Sequence, residues 1–296
     1  MIGTRMLATG ASLALLISAV GTSAVVAEDM AATSEAVAIP AEGHDIPGTF
    51  VLPAGAEGAV PAVLMLHGYG SSADEVGGMY ARLADALAAQ GVGSLRIDFA
   101  GQGVSEASPL EFTWESMTAD AATALDWLAE QDAVDPSRMG VQGFSQGAMV
   151  GAHLVGIDDR PAAFGSWSGA IYDGAVQAEW LAPSLEACEA SGEGQIELDL
   201  GWRTILHSCD YFTSVLASTA LGDFADFAGP LLLVAGSVDE SVPPAVSENA
   251  ATASASEDVT LELIEGGDHI YQVLTEDQSM ADSVIGMTAD WYAGKL

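Results

Sequence analysis

Three residues of this 296-residue sequence have the types needed for nucleophilic catalysis by a hydroxyl group: Ser145, Asp239 and His269. A serine hydroxyl is a weak nucleophile alone. It needs a histidine that takes its proton and a carboxylate that orients the histidine. Nucleophile, acid and histidine in this chain order is a known arrangement of such groups. The sequence therefore predicts that Ser145, His269 and Asp239 form a catalytic triad.

Ser145 lies at the centre of the segment Gly143-Phe144-Ser145-Gln146-Gly147, between a short apolar run and a segment of helical character. This pattern predicts a strand, a sharp turn and a helix, with Ser145 at the tip of the turn. Gly143 and Gly147 supply the small residues needed where the strand and the helix nearly touch. The Gln146 N–H would then lie at the helix start, where unpaired donors and the helix dipole favour an anion.

A second glycine-rich segment, His67-Gly68-Tyr69-Gly70, follows another apolar run. The intermediate of an acyl transfer carries an oxyanion, which two well-placed N–H donors would stabilise. A turn of this kind can bring the Tyr69 N–H beside that of Gln146. We predict that these two backbone groups form the oxyanion hole.

Apolar runs alternate with helical segments along most of the chain, as in a sheet of parallel strands joined by helices. The runs predicted as strands after the opening segment are 60–66, 92–99, 139–141, 162–167, 231–235 and 259–264. We expect a mostly parallel central sheet with helices on both faces. Ser145, Asp239 and His269 each follow one of these runs, and the chemistry of open parallel sheets gathers at the carboxyl ends of the strands.

The histidine has rivals elsewhere in the sequence. His44 lies in an opening strand segment, His153 in the helix after the nucleophile, and His207 in a region without strong strands. His67 does follow a strand, but its place before the glycine turn favours a role in bracing that turn. His269 is therefore the predicted base.

The acid has rivals as well. Asp268 is adjacent to His269, and adjacent side chains seldom pair usefully. Asp98 follows a strand that precedes the nucleophile in the chain, and Glu240 is the nearest competitor. Asp239 is the predicted acid.

Five segments, taken in order, resemble the landmarks of the α/β-hydrolase superfamily. The chain is similar to the feruloyl/cinnamoyl esterase branch of this superfamily and to the related dienelactone hydrolase and prolyl-oligopeptidase-like catalytic domains. The segments are 67–70, 98–105, 143–147, 236–239 and 267–269. The resemblance implies the α/β-hydrolase fold and a serine hydrolase that needs no cofactor or metal. Ser145 argues against the dienelactone hydrolases, which use cysteine, and Gln102 stands where histidine is common.

The region of about 172–228 breaks the alternation, with aromatic residues among acidic and small ones. We predict that it is a cap insertion over the carboxyl edge of the sheet, after the strand that follows the nucleophile helix. It contains Cys188 and Cys209, which could form one disulfide; two buried free thiols are the alternative. Their spacing matches no zinc pattern.

The first 27 residues have the order of an export signal: one arginine, an apolar run, and small residues ending at Ala27. A membrane anchor is the alternative, but Gly and Ser residues interrupt a run that is already short. We expect a flexible leader over residues 28–42 and an α/β-hydrolase domain over 43–296. The predicted location is the periplasm or the outside of the cell.

The sequence has 7 basic against 42 acidic residues, a formal net charge of −35. Such a surface repels nucleic acid and anionic lipid, so we expect neither a nucleic-acid partner nor stable membrane association. A salt-adapted source and an ordinary acidic secreted protein both fit this charge. The sequence does not indicate the oligomeric state.

These observations predict an exported serine hydrolase that cleaves small-molecule carboxylic esters through an acyl-enzyme. A prolyl-oligopeptidase-like peptidase and a thioesterase are alternatives with the same triad. A catalytically silent member that only binds a ligand is a third. The cap aromatics favour an apolar acyl pocket.

Overall fold

The fold alternates strands and helices over the part of the chain that a computed structural model describes, residues 32–296. The strands are β1 (Thr33–Pro40), β2 (Asp45–Leu52), β3 (Val60–Leu66), β4 (Gly93–Ile97), β5 (Val134–Phe144), β6 (Pro161–Trp167), β7 (Gln195–Asp199), β8 (Thr204–Ser208), β9 (Leu231–Gly236) and β10 (Val259–Ile264). The α-helices are α1 (Met79–Ala89), α2 (Trp114–Ala129), α3 (Gln146–Ile157), α4 (Ala178–Ser191), α5 (Cys209–Leu216), α6 (Ala220–Phe224), α7 (Ala245–Ala253) and α8 (Ser279–Lys295).

Eight strands form the central sheet in the order β1-β2-β4-β3-β5-β6-β9-β10. The six strands from β4 to β10 run parallel, and only β1 and β2 pair antiparallel with their neighbours. One hydrophobic cluster joins the sheet to α2 and α3, and a second joins it to α1 and α8. The predicted fold class, a mostly parallel sheet with helices on both faces, is confirmed.

The apolar character of the inner strands follows from this two-sided cover, because a strand packed on both faces has no side that water can reach. All six residues of β9 are buried, as are the last five of β3. Both strands coincide with apolar runs that the sequence predicts as strands, 231–235 and 60–66. Their carboxyl ends bring residues 236–239 and 67–70 to the same edge of the sheet.

The predicted flexible leader is wrong for most of its length. Residues 33–40 form β1, which pairs along all eight residues with β2, from Thr33 opposite Leu52 to Pro40 opposite Asp45. Most of the strand is exposed, but the Ile39 side chain is buried in the core. Edge strands of this kind carry small and polar residues, so their composition resembles that of a loop.

The predicted signal segment, residues 1–27, lies outside the described residues. Within residues 32–296, no helix combines the length and the apolar character that crossing a membrane requires.

The region predicted as a cap lies between β6 and β9, and we call residues 172–228 the cap. It holds α4, α5, α6 and a separate two-stranded antiparallel sheet, β7 with β8, which the sequence analysis did not anticipate. A disulfide joins Cys188 at the end of α4 to Cys209 at the start of α5. The alternative of two free thiols is therefore wrong.

Breaking this disulfide should lower the free energy of unfolding by about 3 kcal/mol, because the cross-link restricts the unfolded chain. Its two cysteines are 21 residues apart in sequence. Urea unfolding of the wild type with and without reductant would measure the effect. The double variant Cys188→Ser/Cys209→Ser is the matched control, and reductant should leave its midpoint unchanged. A wild-type midpoint that does not move in reductant would contradict the prediction.

Candidate active site

Ser145, His269 and Asp239 form a continuous chain of hydrogen bonds at the carboxyl edge of the sheet. Ser145 Oγ lies 3.1 Å from His269 Nε2, and His269 Nδ1 lies 2.8 Å from Asp239 Oδ2. The second oxygen of Asp239 accepts the N–H groups of Ser241 and Val242 at 2.8 and 2.9 Å. The carboxylate is buried and fixed on both sides, whereas the imidazole is partly open to the cavity.

Ser145 lies in the strained turn that the glycine pattern predicts. Its φ is 51° and its ψ is −117°, a conformation that side-chain-bearing residues rarely adopt. A Cβ on Gly143 would come within 2.3 Å of Ala148 Cα, and one on Gly147 would come within 2.0 Å of the Leu66 carbonyl oxygen. Both glycines are therefore required by the close approach of β5, α3 and β3.

The two predicted oxyanion-hole donors are available in this geometry. Gln146 is the first residue of α3, and Tyr69 lies in the turn after β3. A Cβ on Gly68 would lie 3.3 Å from Ser145 Cβ, so this turn packs directly against the nucleophile. Within residues 32–296, no protein acceptor pairs with the N–H of either Tyr69 or Gln146.

Glu75 holds the turn of residues 68–70, which carries the predicted oxyanion-hole donor Tyr69, and the sequence analysis missed this role. One carboxylate oxygen accepts the Gly68 N–H at 2.7 Å, and the other accepts the Ser71 hydroxyl at 2.6 Å and the Val76 N–H at 2.8 Å. The Glu75 side chain is buried, and its φ is 60°. The sequence carries only a weak signal, an acidic residue three positions after Ser72, which also reads as a helix-capping pattern.

The rival histidine and acid have structural partners instead. His67 Nδ1 donates to the Gly68 carbonyl at 2.8 Å and Nε2 accepts the Phe99 N–H at 3.2 Å, so this ring braces the turn. Asp98 accepts the N–H groups of Ala73 and Val104 at 2.6 and 3.0 Å and does not contact His269.

Asp268 and Glu240, the acids that adjoin His269 and Asp239 in sequence, do not hydrogen-bond to the His269 side chain. Asp268 accepts the N–H groups of Ile270 and Gln272 at 3.2 and 2.8 Å, within its own loop. Glu240 is exposed and lines the cavities beside Ser145. Asp239 is thus the acid that contacts His269.

A buried serine–tyrosine pair fixes the loop that carries His269. Ser168 Oγ bonds to the His269 carbonyl at 2.8 Å and lies 3.0 Å from the Tyr271 hydroxyl. The Tyr271 hydroxyl also donates to the Val234 carbonyl at 2.9 Å. Both residues have a positive φ, 43° for Ser168 and 53° for Tyr271. No sequence pattern identified this support in advance.

Two cavities open on either side of Ser145. One, of about 640 Å³, is lined largely by the loops that follow β3, β9 and β10; the other, of about 680 Å³, lies under the cap. Ser145, His269, Tyr69, Trp202 and Glu240 line both of them. The side chains that the cap supplies to the second cavity are mostly apolar or aromatic: Tyr172, Val176, Trp180, Leu200, Trp202 and Tyr211. A substrate with its carbonyl group at Ser145 could therefore place one apolar group in each cavity.

His207 of β8 lies in a buried aromatic cluster of the cap. Its ring stacks on Tyr211 with centroids 4.3 Å apart, and its Nε2 lies 2.6 Å from the Tyr69 hydroxyl oxygen. Burial lowers the pKa of His207 to about 4 and raises the pKa of Tyr69, so both groups are neutral at pH 7. We assign the Tyr69 hydroxyl as the donor in this bond.

Acidification should therefore destabilise the wild type more than a His207→Phe variant. Between the usual imidazole pKa and about 4, unfolded His207 binds a proton that folded His207 does not, so stability falls as the pH falls. The difference should be on the order of 1 kcal/mol per pH unit below about pH 6.5. Urea unfolding at pH 7, 6 and 5 would measure it, with His153→Phe as control. Parallel pH profiles for the wild type and His207→Phe would contradict the prediction.

Nothing in residues 32–296 forms a cluster of three or more His, Cys, Asp or Glu side chains suited to a metal ion. The site holds a hydroxyl, an imidazole, a carboxylate and two backbone N–H donors. Together they can perform acyl transfer through a covalent intermediate.

Comparisons with known proteins support the fold that carries these residues. Residues 58–189, less than half of the chain, match the model of a family described as serine aminopeptidase, S33. An uncharacterized protein of Mycobacterium tuberculosis is 28% identical over 240 residues, which cover 80% of this chain and 73% of that protein.

Two solved structures are similar in fold at low sequence identity. Est1E from Butyrivibrio proteoclasticus with bound ferulic acid has a TM-score of 0.72 at 20% identity, covering 88% of this chain and all of that one. The α/β hydrolase GrgF from a Penicillium species has a TM-score of 0.68 at 18% identity, covering 89% and 98%. At such identities, the similarity establishes the fold alone.

Proposed function

We propose that this chain, which has the α/β-hydrolase fold, is an exported serine hydrolase that cleaves carboxylic esters. The observation that carries the proposal is the hydrogen-bonded series Ser145–His269–Asp239, with the serine in a strained turn beside two N–H groups that have no acceptor among the described residues. Strain of this kind is concentrated at functional sites, where the surrounding structure maintains it.

The reaction would begin with attack of Ser145 Oγ on the ester carbonyl carbon. His269 Nε2 takes the hydroxyl proton as the new bond forms, and the carbonyl electrons move onto oxygen. Asp239 keeps the other imidazole proton on Nδ1, so that Nε2 is free to accept. It also stabilises the imidazolium that results.

The tetrahedral intermediate then places its oxyanion between the N–H groups of Tyr69 and Gln146. Collapse of the intermediate breaks the bond to the leaving alcohol, which takes the proton from His269. Water then attacks the acyl-enzyme with His269 again as base, which releases the acid and restores the Ser145 hydroxyl. The ester and one water molecule are the reactants, and the alcohol and the acid are the products.

Apolar cavities on both sides of Ser145 favour uncharged esters with an apolar acyl group, an apolar alcohol, or both. Est1E is a protein of this fold whose structure holds ferulic acid, which suggests aromatic acyl groups for the test panel. Thioesters have a carbonyl that the same geometry could attack, so they belong in the panel.

A second candidate is an aminopeptidase activity, because the matched family is described by that name. One feature favours it: the exposed carboxylate of Glu240 lines both cavities and could bind the ammonium group of a peptide. We rank it below esterase because both cavities are otherwise largely apolar.

Export and salt adaptation are part of the proposal. The Cys188–Cys209 disulfide supports an oxidising compartment, in agreement with the export signal expected from residues 1–27. The net charge of −35 supports function at high salt, where screening relieves the repulsion between acidic groups.

A substrate panel tests the proposed function. It contains p-nitrophenyl esters from acetyl to feruloyl, matched thioesters, and aminoacyl p-nitroanilides, each assayed at low and high salt. Ester turnover well above amide turnover is expected, and the reverse would favour the aminopeptidase. A fluorophosphonate probe should label the wild type at Ser145. Absence of both labelling and turnover would leave only the silent ligand-binding alternative.

A further inference from the structure

The oxyanion turn, residues 68–70, is held on one side by the body of the protein and on the other by the cap. Glu75 accepts the Gly68 N–H on the body side. On the cap side, Arg203, just before β8, donates from Nη1 to the Gly70 carbonyl at 2.5 Å. A Cβ on Gly70 would lie 2.7 Å from the side chain of Ile205 in β8. The β8 region therefore lies against the turn without a gap.

The side chain of Tyr69, at the centre of this turn, is bound by the cap as well. Its hydroxyl oxygen lies 2.6 Å from His207 Nε2, and its ring lies nearly parallel to that of His207, at 10°. Because glycines flank Tyr69 on both sides, the turn has little stiffness of its own. The direction of the Tyr69 N–H therefore depends on what holds the Tyr69 ring.

The cap holds Gln146, the second predicted oxyanion-hole residue, in a similar way. Tyr211 of α5 stacks on His207, and its hydroxyl accepts the side-chain N–H of Gln146 at 2.9 Å. His207 and Tyr211 are both buried. Two stacked cap residues thus each hold the side chain of one predicted oxyanion-hole residue.

We propose that Arg203, His207 and Tyr211 are positioning residues of the oxyanion hole. The cap would then set the rate of the chemical step as well as the shape of the acyl pocket. This inference rests on the proposed serine-hydrolase function. The Cys188–Cys209 disulfide supports the arrangement, because Cys209 lies two residues after His207 and ties the end of β8 to α4.

Two single variants and their combination test the bond between the cap and the turn. Tyr69→Phe removes the hydroxyl, and His207→Phe removes the acceptor while retaining an aromatic ring. Each should lower kcat by about 10-fold, less than the 10²–10³-fold typical when an oxyanion donor is removed. The double variant should be no slower than either single variant, because all three lack the same hydrogen bond.

The readout that separates positioning from packing is the affinity for an arylboronic acid, which forms a tetrahedral adduct with the serine. Its inhibition constant should rise by the same factor as kcat falls, while KM changes by less than about 3-fold, as expected when an interaction forms only in the transition state. If KM rises while kcat and the boronate affinity stay unchanged, these residues only form a wall of the pocket, and the proposal is overturned.

Arg203→Met keeps the proposal testable should the buried variants fail to fold, because Arg203 is exposed. We expect a kcat several-fold lower, as misplacing catalytic groups by even 1 Å can cost about 10²-fold. The matched control is His153→Phe, which breaks a histidine–Asp223 contact between α3 and the cap away from the turn. Its kcat should not change. Wild-type kcat in folded Arg203→Met and Tyr69→Phe would overturn the proposal.

Fluorophosphonate labelling distinguishes this failure from a failure of the proposed function. If the wild type is labelled and turns over esters while the cap variants match it in kcat, only the positioning role is wrong. If the wild type is neither labelled nor active, the serine-hydrolase function itself is wrong.

Discussion

Replacing Ser145 with alanine should lower kcat for a p-nitrophenyl ester by about 10⁶-fold, because the covalent step loses its only nucleophile. Fold and binding should survive. The Ser145 side chain is not buried in the core, and its backbone N–H and carbonyl make the hydrogen bonds that hold the turn, to Trp167, Ala148 and Ala170. Steady-state kinetics on protein of matched circular dichroism would measure the loss. Fluorophosphonate labelling should disappear with it.

Ser94→Ala is the matched control for this change. Ser94 is fully buried in β4, and its hydroxyl has no protein partner among the described residues, so the same atom is removed far from the site. Its kcat should stay near the wild-type value. Turnover by Ser145→Ala within about 10-fold of wild type would refute the covalent mechanism, because the other groups alone give only the residual rate.

Replacing Asp239 with asparagine should lower kcat by about 10⁴-fold, although the two side chains have the same shape. The Oδ1 position accepts two N–H groups, from Ser241 and Val242, so an asparagine must place its oxygen there. Its NH₂ group then faces His269 Nδ1 and donates to it. The imidazole proton moves to Nε2, and that nitrogen can no longer accept the proton of Ser145.

Kinetics across the pH range, with and without the substitution, would measure this effect. Asp98→Asn is the informative control, because Asp98 was the rival acid and bonds only to backbone groups of neighbouring loops. It should lose much less activity than Asp239→Asn. A larger loss in Asp98→Asn would mean that the acid has been assigned to the wrong carboxylate.

The sequence was sufficient to predict the sheet and the residues that meet at its carboxyl edge, because both leave strong local signals. Strands covered on both faces require continuous apolar runs, as in β9, and Ser145, Asp239 and His269 each come within five residues of the end of a strand. The glycines of the turn around Ser145 were predictable for a similar reason. A Cβ at either position would meet backbone atoms, so no other residue type fits.

The supports of the site could not be predicted, because no sequence pattern distinguishes the residues that provide them. Glu75 bonds to a turn that precedes it in the chain, and Ser168 bonds to residues more than 100 positions later. Glu75 has only its spacing from Ser72 as a weak signal, and no sequence pattern indicates the contact of Ser168. The β1 strand was missed because most of its residues are small and exposed, with Val37 and Ile39 as its only large apolar side chains.

The cap was predicted because its sequence breaks the alternation of strands and helices. The same lack of pattern left its internal structure unpredicted. In the β7–β8 hairpin, β7 alternates polar and apolar residues over only five positions and β8 does not alternate, so the pair gives a weak signal. The sequence places His207 outside the predicted sheet edge and so gives it no role in the site. The structure places it against Tyr69, and the order of the chain gave no sign of that proximity.

Because Arg203 and His207 reach the turn at Tyr69, the cap is not a module that can be exchanged freely between proteins of this fold. A chimera in which a foreign cap is introduced to alter selectivity would also change the contacts that hold the oxyanion turn. Engineering that aims at new substrates would do better to keep residues 202–211 and randomise α4, whose Trp180 lines the cavity.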